Sequence, residues 1–333
     1  MKHKILLLLP IMAFFATLPI HLYATNECLS PNETVWFRYP AQSWSEQALH
    51  IGNGYMGASF YGEVEKERFD IAEKTFWAGG PHAASDFNYG IIKGGKDKIA
   101  TIRQLIVERR FAEADSLSRI YMTGDYTNYG YFSMVGNLWI DFGKNKQPVQ
   151  NYLRGIDLST SRGFVEYTQG GVQFNREYFC SYPDKLMALH FTADKAGKIS
   201  FSLSHSLVYQ PEEVIESENG LTFNGIIRKN GLSYTIRIKI VQQGGSVKVA
   251  HQRIVVEKAN EATVFYAVDT EYAPVYPLYK GENPQQNTGK VITKAITKGY
   301  ETVKNTHISD YQTLYNRVRF TLTGDTASEQ LPT

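Results

Sequence analysis

Between residues 138 and 269 apolar side chains recur at every second position, in one short segment after another. Leu138, Ile140 and Phe142 alternate, as do Val172 with Phe174 and Leu189 with Phe191. Ile199, Phe201 and Leu203 follow, then Ile236, Ile238 and Ile240, and finally Val264, Tyr266 and Val268. Period two puts such residues on one face of a strand. Turn signals separate the segments: Gly170-Gly171, Pro183-Asp184, Asn219-Gly220, Asn230-Gly231 and Gly244-Gly245. Glycine and asparagine accept the positive φ that tight hairpins demand. Many alternating strands with few helices between them imply a mainly β fold, a large two-sheet antiparallel sandwich. No strict repeat is visible, which disfavours propellers and solenoids.

Helical spacing appears in two places. From Lys96, Ile99, Ile102 and Ile106 lead to Arg109-Arg110, and Ala114, Leu117, Ile120 and Tyr121 follow, which reads as two short helices in a hairpin covering a sheet. Near the C-terminus, helices are expected over 288–303 and 306–318, after a proline-bearing stretch at 274–287, with a short strand at 320–323. The domain division expected is residues 1–24 as a signal peptide, 25–272 as the sandwich and 273–333 as a linker with helices. Met1-Lys2-His3-Lys4 is a basic start before an apolar run, and Ala24 is a plausible cleavage point, so a periplasmic or extracellular protein is expected. An uncleaved N-terminal anchor is the alternative. The run is short for a membrane-spanning helix, which needs about 20 residues.

Several chemistries lack their signatures. A formal net charge of +2 with scattered Lys and Arg provides no platform for nucleic acid or an anionic membrane. The eight histidines are dispersed, and no Cys/His cluster has metal-ligand spacing, so neither metal nor cofactor is expected. No phosphate-binding glycine loop opens a helix, and no Gly-x-Ser-x-Gly elbow is present. Cys28 and Cys180 could pair in an oxidising compartment, although Cys180 reads better as a small buried apolar residue.

The densest string of unusual residues lies at 48–81. Ile51-Gly52-Asn53-Gly54 is a tight turn, and a strand over 55–64 carries the small residues Gly57, Ala58 and Ser59. Glu65-Lys66-Glu67 reads as a polar hairpin tip, and the return strand places Phe69 and Ile71 on one face. The run ends in Trp77-Ala78-Gly79-Gly80-Pro81.

This stretch resembles the N-terminal region of the family 95 glycoside hydrolases, the inverting α-L-fucosidase family. Their Trp-Tyr-x-x-Pro-Ala element has its counterpart in Trp36-Phe37-Arg38-Tyr39-Pro40-Ala41. Their Ile-Gly-Asn-Gly-x-x-Gly-Ala turn stands as Ile51-Gly52-Asn53-Gly54-Tyr55-Met56-Gly57-Ala58. Their Asn-Glu-Asp-Thr-Leu-Trp-Ser-Gly-Gly-Pro run stands as Ala72-Glu73-Lys74-Thr75-Phe76-Trp77-Ala78-Gly79-Gly80-Pro81, with Ala72 and Lys74 in place of Asn and Asp. The resemblance implies a very large N-terminal β-sandwich preceding an (α/α)6 barrel that carries the catalytic groups.

No catalytic residue transfers to this chain from that resemblance. Inverting hydrolysis needs two carboxyl groups roughly 6.5–9.5 Å apart, one as acid and one as base. Glu63, Glu65 and Glu67 share one strand face or a hairpin tip, the usual place for solvated charge, and Asp70 and Glu73 straddle the strand's end, so no such pair is expected among them. The expected role is a non-catalytic domain bracing the barrel, with Glu73, Trp77, Tyr129 and Tyr131 as substrate-facing candidates. The partners expected are a fucosylated or related glycan and the barrel itself. Tyr126, Tyr129, Tyr131 and Phe132 crowd one loop, where they either stack on a sugar or plug the space beneath it. The alternative function is a free-standing carbohydrate-binding sandwich using Trp36, Trp44, Trp77 and the tyrosines as platforms.

Overall fold

The computed structural model of the chain describes residues 33–79, 92–123, 130–320 and 331–333. The first strands are β1 (Thr34–Phe37), β2 (Leu49–Gly52), β3 (Met56–Phe60) and β4 (Lys66–Ala78). After helices α1 (Gly95–Val107) and α2 (Phe111–Tyr121) come β5 (Tyr131–Asp141), β6 (Val149–Asp157), β7 (Arg162–Gln169) and β8 (Val172–Ser181). Then follow β9 (Leu186–Ala193), β10 (Ile199–Leu207), β11 (Glu213–Ser217) and β12 (Gly220–Ile227). The last strands are β13 (Leu232–Gln243), β14 (Ser246–Ala250), β15 (Arg253–Ala259) and β16 (Glu261–Thr270), before helices α3 (Pro284–Lys298) and α4 (Tyr300–Tyr315).

The strands form two antiparallel sheets, as the alternation implies. One runs β1-β6-β7-β8-β9-β16-β13-β12-β11 and the other β14-β15-β10-β5-β4-β3-β2. All five turn dipeptides read from the sequence fall at joints between consecutive strands. The inner faces meet in one core: Phe69, Ile71, Leu138, Ile140 and Leu203 from the smaller sheet pack with Tyr178, Leu189, Ile236, Ile238 and Tyr266 from the larger. Cys180 is buried in that core. Its proposed partner Cys28 lies outside the described residues.

The central strands of the larger sheet are buried on both faces. Phe179, Leu186, Ala188, Phe265 and Ala267 point away from the sandwich core and are covered by Ile292 and Ala295 of α3 and Val303 of α4. A strand covered twice reads as a continuous apolar run, and β9 opens Leu-Met-Ala-Leu for that reason. The helices end where local chemistry dictates. The Asn283 side chain accepts from the backbone N–H of Gln285 and Gln286, with Pro284 opening α3. Asn283→Ala is expected to cost about 1 kcal/mol, read as a lowered urea midpoint with the denaturant slope unchanged.

Three local expectations need correction, and a fourth is largely outside the described residues. The break between the C-terminal helices falls at Gly299, at φ 75°, rather than at 304–305, because glycine turns the chain there without steric cost. Thr306 instead sits inside α4, its hydroxyl donating to Thr302 O at 2.7 Å. Helices α1 and α2 do form a hairpin, but their main packing partner is each other rather than a sheet. The strand expected over 55–64 is confined to β3, ending at Phe60. Of the expected 320–323 strand, Phe320 is irregular and the rest lies outside the described residues.

The largest correction concerns the hairpin tip. Glu67 is the second residue of β4 and is completely buried. It shares the parity of Phe69 and Ile71, so the strand aims its carboxylate into the sandwich. There it accepts from the N–H of Tyr61 and Gly62 at 3.0 Å and of Arg68 at 3.1 Å. Burial raises its pKa to about 7 against the opposing pull of the Arg176 charge and these N–H groups.

Candidate functional site

The end of β4 and the start of β5 bring three of the four candidate residues to one end of the sandwich. Trp77 pairs with Phe132 and Ala78 with Tyr131 in the β4–β5 register, beyond an irregularity that starts after Ile71. Gly136 lies close to this irregularity with φ +148°, where an added Cβ would meet Ser206 O at 2.1 Å. The close approach of β10 therefore requires glycine there. Tyr129 lies outside the described residues.

Glu73 follows Phe69 and Ile71 in parity and tucks into the mouth between the sheets, 3% exposed. One oxygen, Oε2, accepts from Thr75 N at 2.9 Å and Thr75 Oγ1 at 2.6 Å. Thr75 Oγ1 is also 2.6 Å from Thr270 Oγ1, tying the two sheets together at this end. Burial raises the Glu73 pKa to about 7, opposed by the Thr75 hydrogen bonds and reinforced by the nearby charge of Asp269. Near neutrality the group is therefore poised between donor and acceptor. Asp269 is itself raised by burial, while Asn287 donates to it at 3.0 Å.

Trp77 stands outward, 44% exposed, with Nε1 donating to Lys74 O at 2.8 Å. Its ring meets Phe132 edge-on at 5.9 Å. The β12–β13 turn supports it from behind: Asn230 Nδ2 donates to Trp77 O at 2.6 Å. Tyr131 and Phe132 are similarly exposed, and the Lys229 ammonium lies 5.0 Å from the Tyr131 ring centre. Beside them the Tyr55 ring carries Lys74 at 3.5 Å and Lys185 at 5.2 Å, with Tyr182 packed at 5.7 Å. Exposed flat rings beside polarised hydroxyl and carboxyl groups suit the alternating apolar and hydroxylated faces of a sugar.

The remaining tryptophans do not join this rim. Trp36 lies in the edge strand β1, and Trp44 donates from Nε1 to Ser59 Oγ at 2.9 Å over the outer face of the smaller sheet. The other acids of the β3–β4 region are committed elsewhere. Glu67 serves backbone N–H groups in the interior, and Asp70 accepts from Tyr61 Oη at 2.6 Å and Asn137 Nδ2 at 2.5 Å beside Arg68. Sequence reasoning missed Asp269, Asn230, Tyr55 and Tyr182 as members of the rim. Their signals were turn and strand-end signals, legible as hairpins but silent about which hairpins meet. Among the described residues, no group of three or more His, Cys, Asp or Glu gathers at metal-binding distances. No described helix is long and apolar enough to cross a membrane.

Residues 35–274 match the family described as "Glycosyl hydrolase family 65, N-terminal domain", and the chain belongs to it. It is similar to "Alpha-L-fucosidase 2" of Arabidopsis thaliana, 28% identical over 88% of this chain and 37% of the plant protein. It is also similar to "Probable alpha-fucosidase A" of Aspergillus niger, 27% identical over 90% of this chain and 39% of the fungal protein. The Aspergillus oryzae protein of the same name is 25% identical over 88% of this chain and 42% of its own length. The chain thus spans about two fifths of the length of these relatives. Among solved structures, "Putative kojibiose phosphorylase from human microbiome" superposes with a TM-score of 0.54 at 9% identity, over 86% of this chain and 38% of that one, which shows a shared fold. The resemblance read from the 48–81 run is upheld: the chain belongs to a glycoside hydrolase N-terminal domain family, and the relatives it is similar to are named as alpha-fucosidases.

Proposed function

We propose that the chain is the non-catalytic sandwich of a secreted α-L-fucosidase-type enzyme. It braces the catalytic (α/α)6 barrel and lends the Glu73–Trp77 rim to the substrate cleft. The observation that supports this most is the rim itself. Trp77, Tyr131 and Phe132 stand exposed at one end of the sandwich, next to a carboxyl group whose pKa is about 7. A glycan held on the barrel would find there both a stacking surface and a hydrogen-bonding acid. The relatives' names and the length they have beyond the matched portion support the same reading. Residues 1–24, on which export would depend, lie outside the described residues.

The isolated chain is expected to show no hydrolysis of an aryl α-L-fucoside, because the family resemblance puts the catalytic groups in the barrel. Turnover by the pure chain that disappears in Glu73→Gln would overturn the proposal. A second reading, a free-standing glycan-binding module, draws on the same exposed rings. Titration of fucosylated oligosaccharides against the chain and Trp77→Ala separates the two. Binding by the isolated chain that Trp77→Ala removes would favour the module.

A further inference from the structure

The lysines at the rim divide into two groups. Lys280 pairs with Glu271 at 2.7 Å, and Lys298 pairs with Asp184 at 2.5 Å. Lys74, Lys185 and Lys229 are exposed and form no ion pair with a carboxylate among the described residues. Their ammonium groups lie against aromatic rings instead. Lys74 is 3.5 Å and Lys185 5.2 Å from the centre of the Tyr55 ring, and Lys229 is 5.0 Å from that of Tyr131. The two charges on Tyr55 are therefore no more than about 9 Å apart, close to one Debye length at physiological salt, where like charges still repel. Three segments hold them there. Asn53 Nδ2 donates to Ser181 O at 2.8 Å, fastening the β2–β3 turn to the β8–β9 turn, and Lys74 N donates to Tyr55 O at 2.8 Å, which brings in β4. Trp77 Nε1 donates to Lys74 O, so the exposed indole continues the same surface.

We infer that Lys74 and Lys185 form an anion subsite, and that the saccharide meeting the rim carries a carboxylate or a sulfate ester. The inference rests on the function proposed above and narrows the class of glycan. An oxyanion beside both ammonium groups relieves their repulsion and accepts hydrogen bonds from each. The exposed Tyr182 and Trp77 rings are then available to the face of the sugar. The acids that feel the Lys74 and Lys185 charges, Glu73 and Asp269 respectively, are withdrawn into the mouth between the sheets. Burial raises the pKa of both, and Glu73, at about 7, carries only part of its charge near neutrality. The patch therefore faces solvent with its positive charge foremost.

The test follows backbone amide shifts of the isotope-labelled chain by NMR, at residues 53–55, 74–77 and 182–185. The probes are glucose, L-fucose, glucuronate, glucose 6-sulfate and inorganic sulfate, each titrated at millimolar concentration and constant ionic strength. The acidic sugars are expected to bind about fivefold or more tightly than the neutral ones, with a preference that shrinks as salt is raised. The tighter of glucuronate and glucose 6-sulfate identifies the acidic group. Lys74→Gln with Lys185→Gln is expected to abolish the preference, and Lys74→Arg with Lys185→Arg to retain it. An unchanged urea midpoint confirms that both double variants are folded. Equal binding of neutral and acidic sugars at the rim would overturn the inference and leave the proposed function standing. A preference that survives the glutamine variant would place the anion elsewhere and overturn it too. Inorganic sulfate binding as well as the acidic sugars would reduce the patch to a general anion site, with the same consequence. No shift of these amides with any sugar would overturn both the inference and the role of the rim in the substrate cleft.

Discussion

Arg176→Met is expected to lower the unfolding free energy by about 3–5 kcal/mol, measured as a fall in the urea midpoint. Arg176 lies on the core-facing side of β8 with Tyr178 and Cys180 and is 2% exposed. Its guanidinium donates to Glu63 O at 2.7 Å, to Val64 O at 2.6 Å and to Tyr167 Oη at 2.8 Å. It lies 3.7 Å from the centre of the Phe142 ring. Methionine keeps most of the volume but removes every one of those donors. The carbonyls of Glu63 and of buried Val64 then lose partners, and the Glu67 carboxylate loses the cation that offsets its burial. The double variant Arg176→Met with Glu67→Gln is expected to recover part of the loss, because the stranded negative charge is gone. Equal or greater destabilisation in the double variant would show that the two groups are not coupled.

The second large effect is a pH dependence. Glu67 has a folded-state pKa of about 7, against 4.5 when free, with burial as the main cause. Below pH 4.5 both states are protonated and no penalty arises. Between 4.5 and 7 the unfolded chain releases a proton that the folded chain keeps, so the Glu67 contribution to stability is lost as pH rises. Two and a half pK units correspond to about 3 kcal/mol. The histidines His190 and His205 act in the opposite direction. Burial depresses both to about 4 from 6.5, so their contribution is present above 6.5 and is lost as pH falls. The unmutated chain is therefore expected to show a shallow profile in which these slopes oppose each other. The difference between Glu67→Gln and the unmutated chain isolates the glutamate. It is expected to move by about 3 kcal/mol in the variant's favour from pH 4.5 to 7, read from urea midpoints. A difference that does not change across that window would mean that Glu67 is solvated or fully compensated in the fold.

Glu67 and Arg176 illustrate why some of the fold was legible and some was not. Their positions obey the same period-two rule that located the strands, Glu67 in step with Phe69 and Ile71, and Arg176 in step with Phe174 and Tyr178. Residue type argued for solvent and parity for the interior, and parity won. It could do so because the two side chains reach backbone donors and acceptors that only the closed sandwich supplies. The helix break at Gly299 follows the same lesson on a smaller scale, a backbone signal outweighing side-chain spacing. At the rim, Glu73, Trp77 and Tyr131 were visible as chemistry-bearing residues near each other in the chain. Asp269, Asn230 and Tyr182 come from three distant segments, and no local pattern links them to β4.

The order of apolar and polar residues by itself determined the sandwich and its turns, because strand alternation and turn chemistry are properties of a few neighbouring residues, while the family resemblance was carried by the strings at 36–41, 51–58 and 72–81. Only the tertiary structure decided which charges are buried and which acid stands beside exposed rings. Those outcomes depend on which distant segments pack together, and desolvation acts on that final arrangement rather than on any stretch of sequence.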